Sequence, residues 1–152
     1  MLAKKTCQTL RVTPAPSEQD LYNELTLYTL ELRDPEFLHQ NVVDAYAVQH
    51  AGPDSKPIAI VFGLMGLYLH LEKNYTGRQV QRAHMQMARK RKQWTAPPIP
   101  GRQGAPIRIA EVVAAAPGLE RNAMIRLWCD AVWQDWQHAR PEIAALARDL
   151  GL

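Results

Sequence analysis

The chain has little of what staples small proteins together. Its 152 residues include two cysteines, Cys7 and Cys129, and neither has a C-x-x-C companion. That excludes a zinc ribbon and a disulfide scaffold, and makes a reducing, cytoplasmic setting the default expectation. A membrane span is missing too. The longest apolar run, Ile58 to Leu71, is fourteen residues and contains His70, whereas a bilayer needs roughly 20. The N-terminus is basic but has no apolar stretch of the signal-peptide kind. There is no H-x-x-x-H pair, no familiar nucleic-acid motif and no internal repeat.

Acid is also missing over one long stretch. From Lys73 to Arg108 there are nine Lys and Arg and no Asp or Glu. The remainder holds nine basic residues against fifteen acidic ones, so the overall +3 hides a balance of −6 outside that segment. A split of this kind marks either an anion-binding surface or complementary faces of one fold.

What is present reads as helix. The length suits one domain, here residues 17–152, with a core that needs no metal or disulfide. Residues 1–16 form an extended or loosely ordered arm closing on Pro14-Ala-Pro16, with a short edge strand at Gln8–Val12 as its only candidate element. Ser17 caps a first helix whose apolar face holds Leu21, Leu25, Tyr28 and Leu32, widened by Leu27 and Leu30. Asp34-Pro35-Glu36 starts a second helix, which runs to His50 and stops at Ala51-Gly52-Pro53. Ile58–Lys73 is apolar all round and therefore central. Gly63 and Gly66 each reduce its helix propensity by about 1 kcal/mol relative to alanine, a cost that suits close approach by another helix. Thr76 caps a fourth helix over Gly77–Gln93, and a Pro-rich connector follows at 95–106. A short helix at Ile109–Ala116 precedes a long one at Leu119–Ala139, with Met124, Leu127, Trp128 and Ala131 facing inward. Pro141 ends or kinks that helix, and Glu142–Leu150 is the last element. The expected fold is an all-α compact bundle of five to seven helices.

Chemistry concentrates in the second helix. At about 100° per residue, His39, Val43, Tyr46 and His50 share one stripe, and Gln40, Asp44 and Ala47 a second. His39 and His50 are eleven positions apart, about 16 Å along a straight helix, so they cannot bind one ion together. Asp135 and His138 have the i, i+3 spacing of di-metal bundle motifs. The expected polar site therefore comprises His39, Asp44, Tyr46, His50, Asp135 and His138, with His39, His50 and His138 as candidate ligands of a divalent metal. The alternative is structural: a histidine at a helix C-terminus meets the negative dipole end, and a buried Asp serves its neighbours. In the basic segment, Arg78, Arg82, Arg89, Lys90, Arg91 and Lys92 are candidate phosphate contacts, with Trp94 as a stacking platform. A merely solvated face is the plainer account of the same residues.

The stretch His39-Gln-Asn-Val-Val-Asp44-Ala-Tyr46-Ala-Val-Gln49-His50 resembles the bacterial family catalogued as domain of unknown function 5946. The resemblance continues through Gly63-Leu64, Leu69-His70-Leu71-Glu72, Trp94 with Pro97-Pro98, the run from Ile109, and Trp128 to Trp136. It covers about residues 20–140. Members carry a cysteine-pair knuckle ahead of the helices, where this chain has only Cys7, and their Gln-His-Pro-Gly is Gln-His-Ala-Gly-Pro here. The family brings no established activity. Three readings follow. The first is a non-catalytic interaction or regulatory module with a protein partner, homo-oligomers included. The second is a metal-dependent helical-bundle hydrolase or transferase with His ligands. The third is an anion or nucleic-acid binder through residues 73–108. None of them involves a membrane.

Overall fold

The computed structural model describes residues 12–101 and 107–152. Cys7, most of the Gln8–Val12 strand and residues 102–106 of the connector lie outside the described residues. Seven α-helices and no strand are found among the described residues: α1 (Glu18–Glu31), α2 (Leu38–Gln49), α3 (Pro57–Lys73), α4 (Gly77–Lys90), α5 (Ile109–Ala114), α6 (Leu119–Asp135) and α7 (Arg140–Leu150). A 3₁₀ turn, Gln137–Ala139, joins the last two. No helix among the described residues is long and apolar enough to cross a membrane.

The caps of α1 and α4 work as the sequence suggests. Ser17 and Asp20 form a reciprocal capping box on α1, and Thr76 and Gln79 form another on α4; each such cap contributes about 1 kcal/mol. The start of α2 differs from expectation. Asp34 accepts hydrogen bonds from the backbone N–H groups of Glu36, Phe37 and Leu38 at 2.7, 3.1 and 2.9 Å. These bonds hold a turn, with Phe37 left-handed at φ 60°, so the helix begins at Leu38 and not at the proline. The long C-terminal helix is also shorter than its apolar pattern suggests. It stops at Asp135, turns through the 3₁₀ segment, and restarts with Pro141 in the first turn of α7, where its missing N–H costs nothing.

α3 is central, with Ile60, Val61 and the run from Gly63 to Leu69 buried. α2 lies antiparallel across it: Val48 packs at Gly63, Asp44 at Gly66, and Asn41 reaches His70. α1 in turn lies antiparallel on α2. The inward faces of α1 and α6 are narrower than expected. Leu27, Leu30 and Leu127 stay 60%, 50% and 56% exposed, because on a 100° step they fall on flanks away from Leu25 and Trp128. Ile125, Trp128, Cys129, Val132 and Trp133 form the buried side of α6. The Pro-rich connector is pinned at both ends, at Pro98 by His138 and at Ile107 by Gln49.

Candidate functional site

The polar residues of α2 face three different neighbours. The His39–Tyr46–His50 stripe is the seam with α1. Thr29 Oγ1 donates to the helix carbonyls of Leu25 and Thr26, so at 2.9 Å it accepts from His39 Nδ1–H. Burial pulls the His39 pKa below its usual value, with the Thr26 carbonyl acting the other way. Tyr46 stacks on Tyr22 with ring centres 3.9 Å apart, and lies against the His50 ring at 4.0 Å. At the far end, His50 Nδ1 is 3.0 Å from the Tyr46 carbonyl and Nε2 is 2.8 Å from Glu18. Both ring nitrogens face oxygen acceptors. Arg108 binds the other oxygen of Glu18 at 2.9 Å. The His50 and Arg108 bonds, in that order, hold the Glu18 carboxyl below its usual range. These groups are 27%, 45% and 47% exposed in their side chains, so the cluster adds at most about 1 kcal/mol per pair.

Asp44 faces α3. One of its oxygens accepts from Gln40 Nε2 at 3.1 Å, and the other, buried against Gly66, has no hydrogen-bond partner among the described residues. Burial raises its pKa well above the carboxylate norm, and the single Gln40 bond opposes that only in part. One turn away, Asn41 Oδ1 is a second buried acceptor without a partner among the described residues, while Asn41 Nδ2 is 3.3 Å from His70 Nε2. The His70 Nδ1–H donates to the Tyr75 carbonyl at 2.8 Å. A folded-state pKa above the unfolded value means that stability is full below about pH 4 and is lost as pH rises toward the folded pKa. Asp44→Asn removes that titration. The stability gap between the two proteins is therefore expected to move in favour of the variant between pH 4 and pH 8, by ~1.4 kcal/mol for every tenfold by which burial tightens proton binding to Asp44. Urea melts at the two pH values check it; a constant gap would contradict a neutral, buried Asp44.

α6 meets α2 through the remaining groups. Gln49 uses both ends of its amide, accepting from Trp128 Nε1 and donating to the Ile107 carbonyl, each at 2.9 Å. The Cys129 thiol points at the Asn41 carbonyl, 3.6 Å away, and burial raises its pKa, which leaves it an inert core residue. The expected polar residues of α2 are thus distributed: His39, Tyr46 and His50 turn to α1 and Asp44 to α3, while α6 is met by the Gln49 side chain and the Asn41 carbonyl.

A cleft of about 720 Å³ opens beside this end of α2, bordered by Glu18, Gln49, His50, Arg108, Asp135 and Trp136. A second, of about 470 Å³, continues past Pro98 to Gln134, Asp135 and His138. The i, i+3 reading of Asp135 and His138 as one helical face is corrected by the end of α6 between them, although both border this cleft. His138 Nε2 donates to the Pro98 carbonyl at 2.7 Å, and His84 Nε2 donates to the Phe62 carbonyl at 2.8 Å. Among the described residues, no three His, Cys, Asp or Glu side chains are grouped as an ion would need. Glu18 and Arg108 are not legible as site residues in the sequence: they lie 32 and 58 positions from His50, and each reads locally as a helix-end charge.

The basic segment divides in two. Lys90 donates to the Leu150 carbonyl, and Lys92 donates to the Ala88 carbonyl at 3.3 Å, so both serve helix ends. Arg78 lies over the Phe37 ring at 4.6 Å and Arg91 over Trp94 at 5.6 Å. Trp94 itself is half-buried, edge-on to Phe62 at 5.1 Å. Arg82 and Arg89 are exposed and have no ion-pair partner among the described residues; Met85, 54% exposed, sits between them on the same face.

An all-helical bundle, with the histidines of α2 hydrogen-bonded to α1 and its carboxylate buried against α3, is the class that these contacts define. Residues 6–137 match the family described as "Family of unknown function (DUF5946)", and the chain belongs to it. No curated protein and no solved structure matches the chain.

Proposed function

We propose that the protein is a non-catalytic interaction module that receives an acidic protein surface on the outer face of α4. The observation that carries this reading is the exposed row Arg82, Met85, Arg89, which satisfies nothing within the described chain. Arginine offers carboxylates a planar, two-pronged donor. An exposed methionine between two arginines fits a protein partner, since Met and Arg are both enriched at protein interfaces. A phosphate backbone offers the methionine no apolar counterpart. The nucleic-acid alternative also loses its stacking platform, because Trp94 is packed on Phe62 and covered by Arg91. The metal-enzyme alternative would have to be built on histidines that are already hydrogen-bonded to different partners at separate places.

The test uses a fluorescent, alanine-based helical peptide bearing Glu at i and i+7 and Leu at i+3, beside a 20-base-pair DNA duplex. At 50 mM salt the peptide is expected to bind, and Arg82→Glu with Arg89→Glu is expected to weaken it at least tenfold. Binding of the duplex in preference to the peptide, with affinity falling by orders of magnitude between 50 and 200 mM salt, would instead establish the nucleic-acid reading. Equal peptide affinity in the variant would overturn the α4 surface.

A further inference from the structure

The outer face of α1 repeats the α4 row with the opposite charge. Glu24, Leu27 and Glu31 stand at i, i+3 and i+7, and Arg82, Met85 and Arg89 stand at the same three positions of their own helix. All six are exposed, Leu27 at 60% and Met85 at 54%. Neither Glu24 nor Glu31 has an ion-pair partner among the described residues, and neither has Arg82 or Arg89. Each row is extended by a like charge four residues before it, Asp20 on α1 and Arg78 on α4. Asp20 also serves the α1 cap and Arg78 also covers Phe37, but like charges at i, i+4 destabilise a helix standing alone, and no ion pair among the described residues offsets Glu24, Glu31, Arg82 or Arg89. Leu30, 50% exposed, widens the apolar part of the acidic row.

We infer that the acidic partner of α4 is a second copy of this chain, which presents its α1; the inference rests on the α4 reading proposed above. Laid antiparallel, Glu24 falls opposite Arg89 and Glu31 opposite Arg82, and Leu27 comes level with Met85 to within about 1.5 Å, one residue's rise. In that orientation the charged flanks of both rows lie on the same side of the contact, where two ion pairs run beside one apolar pair. The two patches are different surfaces, so the contact is heterologous: α1 of one copy meets α4 of the next. One pair of helix faces covers less than the roughly 800 Å² per partner of a standard interface. The association is therefore weak and, being built on exposed charge, dependent on salt.

Sedimentation of the full chain from micromolar to near-millimolar concentration tests it. At 50 mM salt the weight-average mass is expected to rise with concentration, and at 500 mM salt to return to the monomer value. Glu24→Arg with Glu31→Arg, and Arg82→Glu with Arg89→Glu, should each abolish the rise, with helical content and melting temperature checked by circular dichroism. An equimolar mixture of the two variants should associate again, because the intact α4 of the first meets the intact α1 of the second and the swapped rows complement each other. A wild-type chain that stays monomeric throughout, variants that associate like wild type, or a mixture that stays monomeric would each overturn the self-association. If the chain is monomeric but the acidic helical peptide still binds α4, the partner is another acidic protein. If neither happens, the α4 reading fails as well.

Discussion

Gly66→Ala is expected to lower the free energy of unfolding by about 3 kcal/mol, at the upper end of what overpacking costs. A methyl group there would lie 1.9 Å from Asp44 Oδ2 and 2.6 Å from its Cγ, with Val80 Cγ1 at 3.2 Å. Alanine is the better helix former by about 1 kcal/mol, so a net loss means that the clash outweighs the propensity gain. The carboxyl has little room to yield, since Asp44 is 3% exposed and held by Gln40. Deleting it should relieve the strain. The double variant Gly66→Ala with Asp44→Ala is expected to be at least about 1 kcal/mol more stable than the sum of the two single changes predicts, the coupling that direct contacts show. Denaturant melts of the four proteins measure this, and strict additivity would mean that Asp44 and Gly66 do not meet.

That pair also shows where the sequence stops being informative. The all-round apolar character of α3 and the two glycines within it are enough to make it the central helix, closely approached. The residue that approaches lies 22 positions earlier, and no local pattern distinguishes Asp44 from any other half-buried carboxylate. The same holds on the other stripe of α2. Periodicity puts His39, Tyr46 and His50 on one face. Their partners Thr29, Tyr22 and Glu18 follow only from the antiparallel register of α1, which a helix-by-helix reading does not contain. Leucine at helical spacing usually belongs to the core, yet Leu27 and Leu30 remain on the surface, because α1 has neighbours only along its buried stripe.

The basic segment is legible as a charge pattern but not as a division of labour. Six cations and a tryptophan within seventeen residues, Arg78 to Trp94, read naturally as one anion site. In the folded chain Lys90 and Lys92 satisfy carbonyls at helix ends, Arg78 and Arg91 lie on aromatic rings, and only Arg82 and Arg89 remain with nothing to bind among the described residues. A run of charge in sequence thus overstates the charge that a partner meets. The row that survives is recognisable only when the exposed faces of α1 and α4 are compared position by position.

Gly77→Ala is expected to be at least as damaging as Gly66→Ala, and for a reason that no side-chain deletion can relieve. A methyl group on Gly77 would lie 1.9 Å from the Phe37 carbonyl oxygen, 2.8 Å from its carbon and 3.1 Å from the Glu36 oxygen. All three atoms are backbone. They belong to the turn that Asp34 holds with three hydrogen bonds and in which Phe37 sits at φ 60°, so moving them disturbs the entry to α2. The adjacent Arg78 N–H donates to the Glu36 carbonyl at 3.1 Å, and the same displacement would break that bond. A loss of about 3 kcal/mol or more corresponds, for a chain of this size, to a fall in melting temperature of roughly 6–12 °C. Gly52→Ala supplies the control, since a methyl group there meets nothing within 4 Å. That substitution is expected to change stability by less than about 0.5 kcal/mol, as surface changes away from special contacts do. Thermal melts of the two variants beside the parent decide the matter: a Gly77→Ala protein that melts with the Gly52→Ala control would show that the start of α4 does not press against the Glu36–Phe37 turn.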